Sequence, residues 1–276
     1  MQTIFGSHSA IPPFRLLRPT RPEDAAAARA EAGPDTWFMA GGVDLVPAMR
    51  AGRKAATLIS LSEIASMRVI ERRGARLRIG AGCSYGAIAA DRNVADALPD
   101  LAGALGGVAN VRVRHAASIG GNIMARQANY DALTALIALD ATLIFVRPSG
   151  ERLSISAGAE MPDALLEAVE IPLSTRSQFA FERGFKPIVS VAVALEFADG
   201  AITGRAAIGC AHALPIGLAL DFGAAASLTA ERAAAVAAAA IAAMPTPKND
   251  LAASGAYRRT LAGVLVRREV VGMAQG

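Results

Sequence analysis

An α+β fold is what these 276 residues predict, and three observations predict it. Helical and strand-like segments alternate irregularly, with no repeating unit. Two glycine pairs, Gly41-Gly42 and Gly120-Gly121, each follow an apolar run. After Ile171-Pro172 the character changes to three antiparallel-type strand runs followed by alanine-rich helices.

Each element has its own signal. Residues 22–31 predict a helix, because Pro22 suits a first helical turn and Glu23 and Asp24 complement the N-terminal dipole. Residues 36–40 predict a short buried strand running straight into the first glycine pair. Residues 44–50 read as a helical turn and 57–61 as a strand. Residues 69–72 and 76–80 form a strand pair around Arg73-Gly74-Ala75. Helices are expected over 85–91 and 95–105, and residues 111–114 read as a strand entering the second glycine pair. A helix begins near Asp131, where Leu133, Leu136 and Ile137 recur at helical spacing. Residues 143–146 and 152–155 read as a hairpin around Pro148-Ser149-Gly150. The three C-terminal strands are placed at 179–182, 189–197 and 202–208. An alanine-rich helix covers 233–244, with Glu231 near its start and Pro245 ending it. A domain boundary is expected near residue 172.

Composition narrows the function classes. The chain is 53% hydrophobic but only 5% aromatic, so the core is built from Ala, Val, Leu and Ile. Its net charge of +4 comes from scattered Lys and Arg with few aromatics beside them, so nucleic acid is not an expected partner. Cys83 and Cys210 are the two cysteines, which excludes a cysteine-ligated iron–sulfur cluster in this chain, since such clusters need about four thiolates. Both are expected to be buried small residues in a reducing, cytoplasmic compartment. His8, His115 and His212 show no metal-ligand spacing, so no metal site is expected. Pro12, Pro13 and Arg15 interrupt any signal-peptide pattern, and residues 233–244 are too short and too alanine-rich for a membrane span.

The glycine pairs carry the chemistry. Removing two side chains lets the backbone take positive φ and lets a ligand approach the amides. Converging N–H groups form an anion site suited to phosphate. Two such loops point to a ligand with two phosphates, a dinucleotide.

Around them the sequence resembles a known family. Phe14 to Pro19, Ala40-Gly41-Gly42-Val43-Asp44-Leu45-Val46-Pro47 and Leu58-Ile59-Ser60-Leu61-Ser62 are similar to the opening of the FAD-binding medium subunit of molybdenum hydroxylases of the carbon monoxide dehydrogenase and xanthine dehydrogenase type. The likeness continues through Ile79-Gly80-Ala81-Gly82, Ser118-Ile119-Gly120-Gly121-Asn122, Asp131, Ala138-Leu139-Asp140-Ala141 and Glu170-Ile171-Pro172. It ends with Tyr257-Arg258-Arg259 and Leu265-Val266-Arg267-Arg268, so it covers nearly the whole chain.

The resemblance implies a two-lobed vanillyl-alcohol-oxidase-like FAD domain, with lobes at 1–55 and 56–171. A smaller C-terminal domain at 172–276 carries a three-stranded antiparallel sheet and helices. It implies FAD as cofactor, its pyrophosphate held by backbone amides of Ala40, Gly41, Gly42, Val43 and Asp44 and of Ser118, Ile119, Gly120, Gly121 and Asn122. Asp131 matches an acidic residue that contacts an FAD hydroxyl, Leu166 an apolar position beside the cofactor, and Lys186 a basic position near the flavin. The implied partners are a molybdopterin-binding large subunit and a [2Fe–2S] small subunit, in a dimer of heterotrimers. The chain's part is then electron transfer to a terminal acceptor such as NAD⁺, O₂ or a quinone, which requires no catalytic side chain.

The sequence also departs from the family. Val43 stands where a hydroxyl residue is usual, a loss worth about 1 kcal/mol of binding. Arg112, His115 and Ala117 replace common Gln, Asn and Gly. Arg112 is read either as a solvated strand residue or as a compensating phosphate contact, and His115 as a surface residue. Asp131 can cap the helix that follows as well as meet the cofactor, and Asp44 is read either as a cap on the following turn or as a polar group near the flavin. Two other functions stay open: a stand-alone FAD oxidoreductase, and a scaffold on this fold that has lost FAD, for which Val43 is the supporting feature.

Overall fold

The computed structural model describes residues 10–184, 188–198, 200–223 and 228–275. Lys186 and His8 lie outside the described residues.

The chain opens with β1 (Arg15–Leu17), α1 (Pro22–Glu31), β2 (Thr36–Met39), α2 (Leu45–Arg50) and β3 (Thr57–Ser60). The three strands form a parallel sheet in the order β1-β3-β2, with Leu58 beside both Leu16 and Trp37. Parallel pairing needs crossovers, and α1 and α2 lie in the two connections. All four residues of β3 are buried, as befits a central strand.

A hairpin follows, β4 (Ile70–Arg73) and β5 (Arg76–Gly80), turning at Gly74 with φ +58°. Next come α3 (Tyr85–Ala90), α4 (Arg92–Ala97) and α5 (Pro99–Gly106). The single helix expected over 95–105 is thus two. Proline disfavours helical geometry at the residue before it, and Leu98 sits at φ −143°, ψ 65°. The strand expected at 111–114 is also a helix, α6 (Val111–Ala116): the Asn110 side chain accepts from Val113 N at 3.1 Å and starts it. The short Val-Arg alternation fitted a strand period, but the cap decided the outcome.

After α7 (Ile119–Met124) and α8 (Ala132–Ala138), whose residues are all buried, come β6 (Thr142–Val146), β7 (Arg152–Ser156) and β8 (Leu165–Pro172). These complete an antiparallel sheet in the order β4-β5-β8-β6-β7. Leu77, Ile79, Leu143, Phe145, Val169 and Ile171 fill its core.

The three expected C-terminal strands are present as β9 (Ser177–Arg183), β10 (Ser190–Ala198) and β11 (Ala201–Gly209), and β12 (Ile216–Asp221) adds a fourth at the edge. Strand alternation splits the sheet's two faces. Ala192 and Ala207 pack with the α8 side of the molecule. Val191, Val193 and Ile208 pack with α9 (Ala230–Ala242) and α10 (Gly255–Gln275). Alanines at 233, 237 and 240 let α9 approach closely. Cys83 and Cys210 are free and buried, and burial pushes the Cys83 thiol up to about 11. No helix among the described residues is long and apolar enough to cross a membrane.

Candidate functional site

A cavity of about 850 Å³ opens where β2, α7, the start of α8 and the start of β8 converge. The turn after β2 contributes Ala40, Gly41, Gly42, Val43 and Asp44 to its wall. The segment around α7 contributes Ser118, Gly120, Gly121 and Asn122, and Asp131 and Leu166 complete the expected set. Ile119 points into the core instead, at 1% exposure. Lys186 is not described, and Arg112 and His115 are exposed on α6 outside the cavity wall.

The two glycine pairs turn out to be different devices. At the first, Gly42 has φ +69°, and a Cβ on Gly41 would fall on the Ala116 carbonyl. Both glycines are therefore required by local geometry. Among the described residues, the amides of Gly41, Gly42, Val43 and Asp44 donate to no protein acceptor. Four unpaired donors thus sit on residues lining one cavity, the arrangement an anion needs.

The second pair has no positive φ. It forms the first turn of α7, and its amides are already used. Ile119 N donates to Cys83 O at 2.9 Å, Gly120 N to Ala81 O at 2.8 Å, Gly121 N to Ser118 Oγ at 3.1 Å and Asn122 N to Ser118 O at 3.0 Å. Gly120 is small because a Cβ would stand 2.7 Å from the Ala81 Cβ. This segment therefore presents side chains to the cavity where amides were expected: the Ser118 hydroxyl, still with its own proton to give, and the Asn122 carboxamide.

Three buried oxygens on cavity-lining residues lack any partner among the described residues: Asn122 Oδ1, Asp131 Oδ1 and the Tyr85 hydroxyl. Buried polar atoms are seldom left unpaired, so these mark where a ligand's groups belong. Asp131 is 4% exposed, and its other oxygen accepts from Arg183 on β9. Burial raises its pKa, while the charge and hydrogen bond of Arg183 pull the opposite way. Asp131 occupies the N-cap position of α8 without making a cap bond: at φ −91°, ψ −29° it lacks the extended geometry a cap needs, and one of its oxygens is turned to Arg183. Asp44 behaves likewise at α2: it accepts from the Tyr130 hydroxyl and makes no cap bond. Burial, followed by the charges of Asp131, Tyr130 and Asp44, holds the Tyr85 phenol far above its usual value, so it stays protonated.

Sequence reasoning did not find Trp37, Arg53, Tyr85, Tyr130 or Arg183, all of which line the cavity. Tyr130 adjoins Asp131 in sequence, which is a signal in hindsight. Arg183 lies 52 positions from its partner and offers no local one.

The donor and acceptor set suits a dinucleotide: free amides for phosphate oxygens, and orphan acceptors for hydroxyl groups. Comparison with known proteins agrees. Residues 12–174 match the family described as the FAD binding domain in molybdopterin dehydrogenase. The carbon monoxide dehydrogenase medium chain of Afipia carboxidovorans is 28% identical over 286 aligned positions, spanning 93% of this chain and 95% of that one. Aldehyde oxidase 2 of Cavia porcellus is 27% identical over 197 positions, and the match spans 15% of that protein's length and 62% of this chain. Among solved structures, a carbon monoxide dehydrogenase of Hydrogenophaga pseudoflava that lacks the Mo-pyranopterin moiety aligns with a TM-score of 0.82. The identity there is 26%, over 94% of this chain and 96% of that one.

Proposed function

Since the chain belongs to the family of FAD-binding domains of molybdopterin dehydrogenases, with FAD as its cofactor, we propose that it is the electron-transferring medium subunit of a molybdenum hydroxylase. The observation that carries this reading is the single cavity that collects both glycine pairs together with orphan donors and acceptors. Bound FAD supplies the ability to take electrons singly and deliver them singly or in pairs. The chain's own residues position it. The amides of residues 41–44 take the pyrophosphate, the Ser118 hydroxyl and Asn122 complete its polar contacts, Asp131 accepts from a hydroxyl, and Leu166 packs beside the ring. Arg183 directs Asp131 and opposes the burial that raises its pKa, and no side chain has to move a proton.

The lobes at 1–55 and 56–171 would hold the cofactor between them, with 172–276 as a third domain. The separate sheets at 15–60, 70–172 and 177–221 support that division. The partners would be a molybdopterin-binding large subunit and a [2Fe–2S] small subunit in a dimer of heterotrimers. Electrons would enter from the iron–sulfur subunit and leave to NAD⁺, O₂ or a quinone. Two unpaired buried thiols fit a cytoplasmic setting.

Reconstitution of the purified chain with FAD tests this reading. Stoichiometric flavin absorption is expected, and a colourless protein that takes up no FAD would sink it. Gly121→Asp puts a carboxylate beside Ser118, where a Cβ already stands 3.0 Å from the hydroxyl. FAD affinity should fall by roughly tenfold or more while the fold is retained.

A further inference from the structure

Trp37 is the only tryptophan in the chain, and its place in the fold is specific. It sits on β2, four residues before Gly41, and so about 13 Å along the strand from the unpaired amides. Its indole N–H donates to Lys54 O at 3.0 Å, which fixes the ring plane. The Arg53 guanidinium lies over the ring, 4.8 Å from its centroid, and both residues line the cavity. Phe38, its neighbour, packs into the core, whereas Trp37 belongs to neither core cluster.

A large aromatic ring fixed at a cavity wall, outside the core and backed by a cation, is not explained by packing. An isolated surface tryptophan would need neither the carbonyl anchor nor a site beside four orphan donors. Aromatic rings and guanidinium planes are the surfaces on which nucleobases stack, and stacking tolerates any base because it uses the π-face.

We propose that the Trp37–Arg53 pair is the base-stacking platform of this cavity, receiving the adenine ring of the dinucleotide while the amides of residues 41–44 take its phosphates. The inference rests on the FAD reading above and adds the residues that recognise the nucleotide half. Because Trp37 is unique, its emission reports on that half alone when the probe carries no flavin.

The test uses the full chain stripped of flavin. ADP, which has the base and both phosphates but no isoalloxazine, is titrated while Trp37 emission is followed. FAD affinity is measured for the wild type, Trp37→Leu and Trp37→Phe. Saturable quenching by ADP is expected, together with a roughly tenfold loss of FAD affinity in Trp37→Leu that Trp37→Phe largely restores. The platform is overturned if ADP leaves the emission unchanged, or if Trp37→Leu binds FAD as tightly as the wild type. Failure of the wild type to bind FAD at all would overturn the cofactor reading itself, and the platform with it.

Discussion

Arg258 on α10 is 2% exposed, and a guanidinium so buried needs partners; its two terminal nitrogens have them, while Nε has none among the described residues. It donates to the carbonyls of Ile188 and Cys210 and to Asp250 Oδ1 at 2.6 Å. Asp250 also accepts from Ala252 N and Ala253 N, and the Ala252 bond does most to hold its carboxyl down at about 2. A carboxyl lowered from 3.8 by folding contributes stability that is present above 3.8 and lost as pH falls through about 2. Asp250→Asn should therefore lower the melting temperature at neutral pH, and the gap from the wild type should close as pH falls toward 2. Thermal melts across that range check it, and a gap that stays constant would show that charge is not the cause. The same logic of distant partners explains what the sequence concealed in the site. The glycine pairs are visible as a local pattern, whereas Asp131 meets Arg183 and Asp44 meets Tyr130 only once the chain has folded. Capping is a sound local expectation at both aspartates, but each has helical dihedrals that preclude the cap and turns an oxygen to a long-range partner instead.

At the level of elements, glycines that look alike differ in what they permit. Gly120 in α7 has Ala81 against the place a Cβ would occupy, while Gly103 in α5 has nothing within 4 Å and no positive φ. Gly120→Ala should destabilise the chain by about 1–3 kcal/mol through overpacking. Gly103→Ala should stabilise it by about 0.5–1 kcal/mol through helix propensity. Denaturant unfolding of both variants decides the matter, and equal shifts would refute the packing argument. Legibility also varied by element. The 70–80 hairpin, the 142–156 hairpin and α1 were readable because turn residues or a first-turn proline marked their ends. Six-residue α6 and the split at Pro99 were not read, since a short window holds too little periodicity to outweigh a single cap or proline. The edge strand β12 carries Gly217 as its second residue, which weakened its signal as a strand.

Seen as a whole, the molecule surrounds the cavity with parts of all three sheets: β2 and its turn, the start of β8, and β9 through Arg183. A ligand bound there stabilises every wall it touches. At FAD one hundredfold above its dissociation constant, the gain is about 2.7 kcal/mol, or roughly 5–10 °C for a chain of this size. Calorimetry with and without FAD should show that rise, and an unchanged midpoint would count against binding in this cavity. The walls are not equally adaptable, however. The amides of α7 are tied to Ala81 and Cys83, and Ser84 bridges Ser118, so this half of the site is part of the scaffold itself. Val43 and Asp44 belong to neither core cluster and bear no ladder bonds. For an engineer, or for drift under selection, the first loop is therefore the adjustable half: ligand preference can be retuned at positions 43 and 44 while the fold stands. At Gly120, any change of ligand preference begins by disturbing the scaffold.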